Sequence, residues 1–178
     1  MKLNFEKTSI EGVIHIKPDK FHDERGWLCE SYNKKIFIEN GIDIEFIQEK
    51  HSFSKKNVFR GLHYQKTPFQ QHKLVRCSYG SIYDVVVDIR PDSPTFGKYE
   101  AFTLTSDNSE LLYIPHGIAH GFLTLSDEVY FSYMISGEFN KEYDTGIFFA
   151  DPIINIRWPK NIEEFIISEK DKNLPLLK

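Results

Sequence analysis

The side chains able to do chemistry concentrate in Phe59-Arg60-Gly61-Leu62-His63-Tyr64-Gln65 and in Gln71-His72-Lys73-Leu74-Val75-Arg76. Strand alternation sends Arg60, Leu62 and Tyr64 to one face and Gly61, His63 and Gln65 to the other. A base among cations suits an anionic ligand that must lose a proton. A histidine can remove a proton next to a carbonyl if a cation or donor stabilises the enolate. Lys73 follows His63 by ten residues and could return on the adjacent strand as that cation. Tyr133, in Val129-Tyr130-Phe131-Ser132-Tyr133-Met134, could present a phenol from the opposite side. A base on one face and an acid on the other is what inversion of a carbon centre requires. Spacing alone leaves Tyr133 equally readable as strand packing.

A second chemistry competes for the same histidines. His116 and His120 flank the turn in Ile114-Pro115-His116-Gly117-Ile118-Ala119-His120-Gly121-Phe122. His63 and His120, with Glu30 or Glu49, would make a metal site inside a β-barrel. The usual His-x-His pair with a nearby carboxylate is absent, because Tyr64 and Gln65 follow His63. No metal ligand is assigned. Asp23 and Arg25 read either as a turn salt bridge or as Arg25 clasping a phosphate, with Gly26 allowing close approach. His15 reads as structural.

Positioning these groups falls to a chain of short strands. Val13–Lys17, Ile44–Gln48, Asn57–Phe59, His72–Ser78, Ser81–Ile89, Tyr99–Thr105, Leu111–Ile114, His120–Leu125, Glu128–Ile135 and Ile153–Ile156 all carry strand patterns. Tyr79-Gly80 reads as a hairpin turn between two of them. Lys34–Asn40 is the one clear helix, closed by Gly41. Residues 162–165 are ambiguous, and Ser168–Asp171 is a loop or a helix start. Many short strands at spacings of roughly ten residues indicate a mainly β jelly-roll barrel or sandwich with a few short peripheral helices.

Composition sets the outer limits. The 178 residues fit one domain spanning 1–178, with 40% hydrophobic and 15% aromatic residues, enough for a proper core. A net charge of −4 gives no bulk attraction to nucleic acid or to an anionic membrane, so an anion site has to be built locally. Cys29 and Cys77 form no disulfide framework, which fits a reducing, cytoplasmic setting. Neither a signal peptide nor a membrane-spanning run is expected.

Taken together, the ordered motifs resemble the dTDP-4-dehydrorhamnose 3,5-epimerase family, which acts on 4-keto nucleotide sugars. They are Phe21-His22-Asp23-Glu24-Arg25-Gly26, Phe59 to Gln65, Lys73 to Arg76, Asp84 to Arg90, Ser93-Pro94-Thr95-Phe96-Gly97, Ile114 to Phe122, Asp151-Pro152, Trp158-Pro159 and Ser168-Glu169-Lys170-Asp171. The resemblance implies a cupin-like jelly roll and a homodimer that partly exchanges residues 1–45, with neither metal nor organic cofactor. It implies His63 as general base, Asp171 as the carboxylate orienting it, Tyr133 as proton donor and Lys73 at the enolate oxygen. Arg25, Arg60 and Lys170 match phosphate or substrate contacts, and Glu30, Gln48 and His120 line the family's site. Glu142 is a further candidate substrate contact.

Departures from the family pattern bear on specificity. Lys50 stands where the family usually has Asn, and Met134 where Lys is usual. Glu138 occupies the place of a tyrosine that stacks on thymine, and Trp27 replaces a phenylalanine on the base's other face. A carboxylate accepts hydrogen bonds from guanine but repels the carbonyl acceptors of thymine, so GDP and CDP sugars become candidates. A one-residue shift would instead give the stacking role to Phe139 or Tyr143. An epimerase inverting C3 alone or C5 alone, and a non-catalytic carbohydrate-binding cupin, are the rival functions.

Overall fold

Apolar residues alternating along short strands build two antiparallel sheets that face one another in a computed structural model describing residues 1–178. The strands are β1 (Leu3–Lys7), β2 (Ile14–Pro18), β3 (Lys20–Asp23), β4 (Gly26–Cys29), β5 (Gln48–Lys55), β6 (Phe59–Gln65) and β7 (Lys73–Tyr79). They continue as β8 (Ser81–Asp88), β9 (Tyr99–Thr105), β10 (Leu111–Ile114), β11 (Ile118–Thr124), β12 (Glu128–Ile135) and β13 (Asp144–Gly146). One sheet runs β1-β2-β10-β7-β12-β5, the other β13-β6-β11-β8-β9, and β3-β4 forms a separate hairpin. Two short helices, α1 (Lys34–Glu39) and α2 (Glu169–Lys172), lie outside the sheets. This is the jelly-roll architecture expected from the strand spacing.

Three apolar layers hold it. Between the sheets, Val75, Ile82, Val86, Leu104, Phe122 and Phe131 are buried together. The outer face of the five-stranded sheet is covered by the C-terminal segment, which packs Ile147, Phe149, Ile154 and Ile156 on Phe59, Leu62, Val85 and Val87. Beneath α1, Phe37 closes a third cluster with Leu3, Ile16, Leu74 and Leu111. Asn33 caps α1 by accepting from Ile36 N, and Gly41 leaves it at φ +83°.

Several local expectations are corrected. Tyr79-Gly80 does not close a hairpin, since β7 and β8 belong to different sheets and pair with other strands. Gly80 carries the crossing at φ +83°, and a Cβ there would lie 2.2 Å from the Glu128 carbonyl oxygen. Residues 44–47 are irregular, and strand pairing begins only at Gln48. The alternating Ile153–Ile156 segment is not a strand either. Its backbone is satisfied by Asp151 Oδ1, which accepts from Ile153 N and Ile154 N. Ser168 to Asp171 resolves as a helix start, with Ser168 Oγ accepting from Asp171 N.

The correction that matters most lies in β6. His63 pairs with His120 and Arg60 with Phe122, so Gly61 and Leu62 together face Gly121 alone. This bulge breaks the two-residue period and turns Arg60 and His63 toward the same interior. Leu62 meanwhile packs on the outer cluster. Gly61 sits at φ +148°, and a Cβ there would come within 2.5 Å of Gly121 Cα. Gly61→Ala should therefore cost about 2–4 kcal/mol by strain and overpacking, seen as a lowered denaturation midpoint. Gly137→Ala, whose Cβ meets nothing nearer than 3.4 Å, should be close to neutral. Equal midpoints for the two variants would contradict the role given to the bulge.

Candidate active site

Between the sheets, a cleft of about 580 Å³ opens beside β6 and takes in Arg60, His63, Lys73, His120, Tyr133, Lys170 and Asp171. A smaller lobe of about 220 Å³ continues past His63, Lys73 and Tyr133 toward Lys50, Phe139 and Asp144. The candidate base, phenol and cations thus come from four separate elements, β6, β7, β12 and α2, with His120 added from β11.

His63 Nε2–H donates to Asp171 Oδ1 at 2.7 Å. That bond fixes the tautomer and leaves Nδ1 as the basic nitrogen. Asp171 is buried at the start of α2, and its Oδ2 accepts from Gly61 N at 3.3 Å. Burial alone would raise the Asp171 pKa. The His63 hydrogen bond and charge, the Gly61 N–H and Lys170 outweigh it and hold the carboxyl below its ordinary value. The carboxylate is therefore ionised and ready to stabilise an imidazolium.

Lys73 enters from the first position of β7 and donates to the His63 carbonyl oxygen at 3.3 Å. Burial pushes its pKa down to about 8, against the opposing pull of Asp144 and Asp84, with Lys50 pushing further down. Tyr133 lies on β12 and packs beside Phe131 at 5.6 Å between ring centroids. Burial raises its pKa despite Arg60 nearby, and Asp144 adds to the rise; the phenol holds its proton at neutral pH. Arg60 Nε donates to Ser54 Oγ at 3.0 Å and its Nη2 to the Phe53 carbonyl at 3.2 Å. Lys170 pairs with Asp144.

His120 faces the cleft but is committed elsewhere, as its Nε2–H lies 2.9 and 3.0 Å from the two oxygens of buried Asp84. The metal reading needed His63 and His120, with a glutamate, to converge on one metal. Each instead gives its Nε2 to its own carboxylate, and no three His, Cys, Asp or Glu side chains converge.

The other candidates are not among the residues lining this cleft within the single chain. Arg25 is exposed on the β3–β4 turn and pairs with Asp23. Trp27 sits under Lys20 Nζ at 4.2 Å in a separate shallow groove. Glu30 accepts from Asn33 Nδ2, and Gln48 begins β5 opposite Ile135. Glu142 is exposed, with its backbone N–H on Asn140 Oδ1. Glu138 is exposed too, and only its carbonyl is engaged, by Gln71 Nε2. Phe139, one residue on, is the side chain that lines the lobe.

Sequence reasoning missed the residues that hold these groups: Ser54 behind Arg60, Asp84 behind His120 and Asp144 beside Lys170. Only Asp84 carried a signal, as an acidic residue in the apolar run of β8. It also missed Gln65, whose Oε1 accepts from Asn140 N and anchors the Phe139 loop while its buried Nε2 has no acceptor.

Known proteins resemble this chain in sequence and in fold. The family model described as dTDP-4-dehydrorhamnose 3,5-epimerase matches residues 7–178. A dTDP-4-dehydrorhamnose 3,5-epimerase of Shigella flexneri is 47% identical over 172 residues, covering 96% of this chain and 94% of that protein. A Legionella pneumophila dTDP-6-deoxy-D-glucose-3,5-epimerase, solved with dTDP-4-keto-L-rhamnose, superposes with a TM-score of 0.94 at 39% identity, covering 99% of this chain and 93% of that one. The Bacillus anthracis dTDP-4-dehydrorhamnose 3,5-epimerase, solved with TDP and pyrophosphate, gives 0.95 at 38% identity, covering 99% of this chain and all of that one (100%). By sequence and by fold, the chain belongs to the dTDP-4-dehydrorhamnose 3,5-epimerase family.

Proposed function

We propose that this protein is an isomerase that inverts C3 and C5 of a dTDP-linked 4-keto-6-deoxy sugar. The observation that carries the reading is the carboxylate-backed His63 opening into the cleft that also holds Lys73 and Tyr133. The 4-keto group acidifies both neighbouring carbons, so one base serves two centres. His63 Nδ1 takes the proton from C3 or C5, and the C–H electron pair moves into the ring to form the enolate. The Lys73 ammonium holds the developing oxygen charge, and Asp171 holds the imidazolium. Tyr133 O–H then protonates the carbon from the other face, which inverts it. The His63 imidazolium then gives its proton to solvent and the Tyr133 phenolate takes one up, which resets both groups before the second carbon reacts.

Thymine is the base this reading favours. Exposed Glu138 lines neither the cleft nor its smaller lobe, which weakens the objection that a carboxylate would repel thymine carbonyls. Phe139 is 50% exposed along the lobe and offers a face for stacking.

A homodimer completes the proposal. The β3–β4 hairpin leaves Phe21, Trp27 and Leu28 exposed at 62, 47 and 61%. Phe53, Tyr79 and Tyr130 are uncovered together on the outer face of the six-stranded sheet. Apolar surface of this kind marks an interface. Partial exchange of residues 1–45 would carry Arg25, Trp27 and Glu30 to the partner's cleft. No helix is long and apolar enough to cross a membrane, and we place the enzyme in the cytoplasm, where its substrate class would be made.

Three measurements test these points. In D2O with dTDP-4-keto-6-deoxyglucose, the wild type should exchange protons at both C3 and C5. His63→Ala should abolish both exchanges, and Tyr133→Phe should retain some exchange while losing inversion. Exchange at one carbon only would make this a single-centre epimerase, and no exchange would favour the non-catalytic cupin. The pH profile supplies the second test. Lys73 must be protonated to hold the enolate, and its pKa is lowered to about 8, so kcat/KM should fall as pH rises through about 8. A profile flat to pH 10 would remove Lys73 from that role. For the third, light scattering should report the mass of two chains, and Trp27→Asp should shift it toward one. A monomeric wild type would overturn the dimer.

A further inference from the structure

The strand that carries His63 starts from a turn, and the same turn holds the C-terminal segment. Asn57, between β5 and β6, stands at φ +61°, a left-handed conformation that asparagine tolerates better than most side chains. The turn is anchored to β11. Buried Thr124 donates its hydroxyl to the Lys55 carbonyl and accepts from Val58 N, while its own N–H reaches the Val58 carbonyl.

Onto this post the chain lays residues 159–166, the stretch that leads to Asp171. Ile166 N donates to the Asn57 carbonyl at 2.8 Å, and Phe59 N to the Ile166 carbonyl at 3.0 Å, which sets Ile166 parallel to Val58. Lys160 Nζ donates to Asn57 Oδ1 at 2.6 Å. Residues 161–164 are exposed and make hydrogen bonds only within their own turn. The Lys160–Asn57 bond is therefore the polar tie between this exposed stretch and the rest of the fold. Both partners of the catalytic pair are reached from Asn57 by short arms. Six residues along β6 lead to His63, and five beyond Ile166 lead to Asp171, where the two meet at 2.7 Å. A shift at the turn is carried to that contact with little chain to absorb it.

We propose that Asn57 is a positioning residue for the proton transfer. It joins the arms that carry His63 and Asp171, and its side chain, through Lys160, fixes the course of the arm that brings the carboxylate. This rests on the epimerase reading above and adds to it a residue that lines neither the cleft nor its lobe.

Deuterium incorporation at C3 and C5 of the 4-keto sugar nucleotide, with dTDP binding measured alongside, tests this in Asn57→Gly. Glycine keeps the left-handed turn and the carbonyl that holds Ile166, so only the bond to Lys160 is lost. Exchange should slow about 10-fold, with dTDP affinity and the denaturation midpoint close to those of the wild type. Lys160→Met should reproduce the loss, and Asn57→Asp, which restores an acceptor for Lys160, should recover most of it. Added to Asp171→Asn, Asn57→Gly should cause no further slowing, because the contact it serves is already disabled. Exchange at the wild-type rate in Asn57→Gly overturns the proposal. A further 10-fold loss on top of Asp171→Asn overturns it as well, because it marks a general weakening of the fold. A wild type that exchanges neither proton would sink the epimerase reading itself, and this proposal with it.

Discussion

The hydrogen bond between His63 and Asp171 ties the two ends of the fold together. It joins β6 to a helix start 108 residues later. Asp171 can reach His63 because the C-terminal segment is laid back across the five-stranded sheet. Phe59 N donates to the Ile166 carbonyl, and Ile166 N to the Asn57 carbonyl. Ser168 then caps α2 and sets the angle at which Asp171 enters. The bulge at Gly61 does the complementary work, turning His63 and Arg60 inward and offering the Gly61 N–H to the same carboxylate. The apolar cluster of Phe59, Leu62, Phe149 and Ile156 is, in this sense, a support for the His63 imidazole.

The second constraint is electrostatic. An acidic chain gathers Arg60, Lys50, Lys73 and Lys170 around one cleft and pairs only Lys170 with a carboxylate. Arg60 is tethered to a hydroxyl and a carbonyl instead. Burial first, and then repulsion from Lys50, lowers the proton affinity of Lys73 against the pull of Asp144 and Asp84. A dianionic ligand relieves that repulsion as it binds. In the proposed reaction, anion binding and the protonation of Lys73 are thus coupled through the same charges.

Much of this was legible in the sequence, for reasons that differ from residue to residue. The jelly roll followed from strand spacing, and α1 from its flanking Asn33 and Gly41. His63, Lys73 and Tyr133 were visible as residue types on neighbouring strand patterns. Asp171 was not, because nothing local links it to His63; only family resemblance placed it there. The bulge escaped because a period-two reading assumes an unbroken ladder, and Gly61 facing Gly121 breaks it. Tyr79-Gly80 looked like a hairpin since a turn is a local signal, whereas the choice of sheet is made by distant pairing. Ile153–Ile156 alternated like a strand because its isoleucines do pack on the sheet, with Asp151 rather than a neighbouring strand satisfying its backbone. Arg25, Trp27 and Glu30 do not line the His63 cleft in one chain, which residue types and spacing gave no means of foreseeing.

The most direct test of the account replaces Asp171 by Asn and follows deuterium incorporation into the 4-keto sugar nucleotide alongside dTDP binding. Asn keeps the shape but loses the charge that fixes the His63 tautomer and stabilises the imidazolium. Exchange at C3 and C5 should slow by about 100- to 10,000-fold, with dTDP affinity unchanged. Exchange at the wild-type rate would contradict the claim that the His63–Asp171 pair is the base of this enzyme.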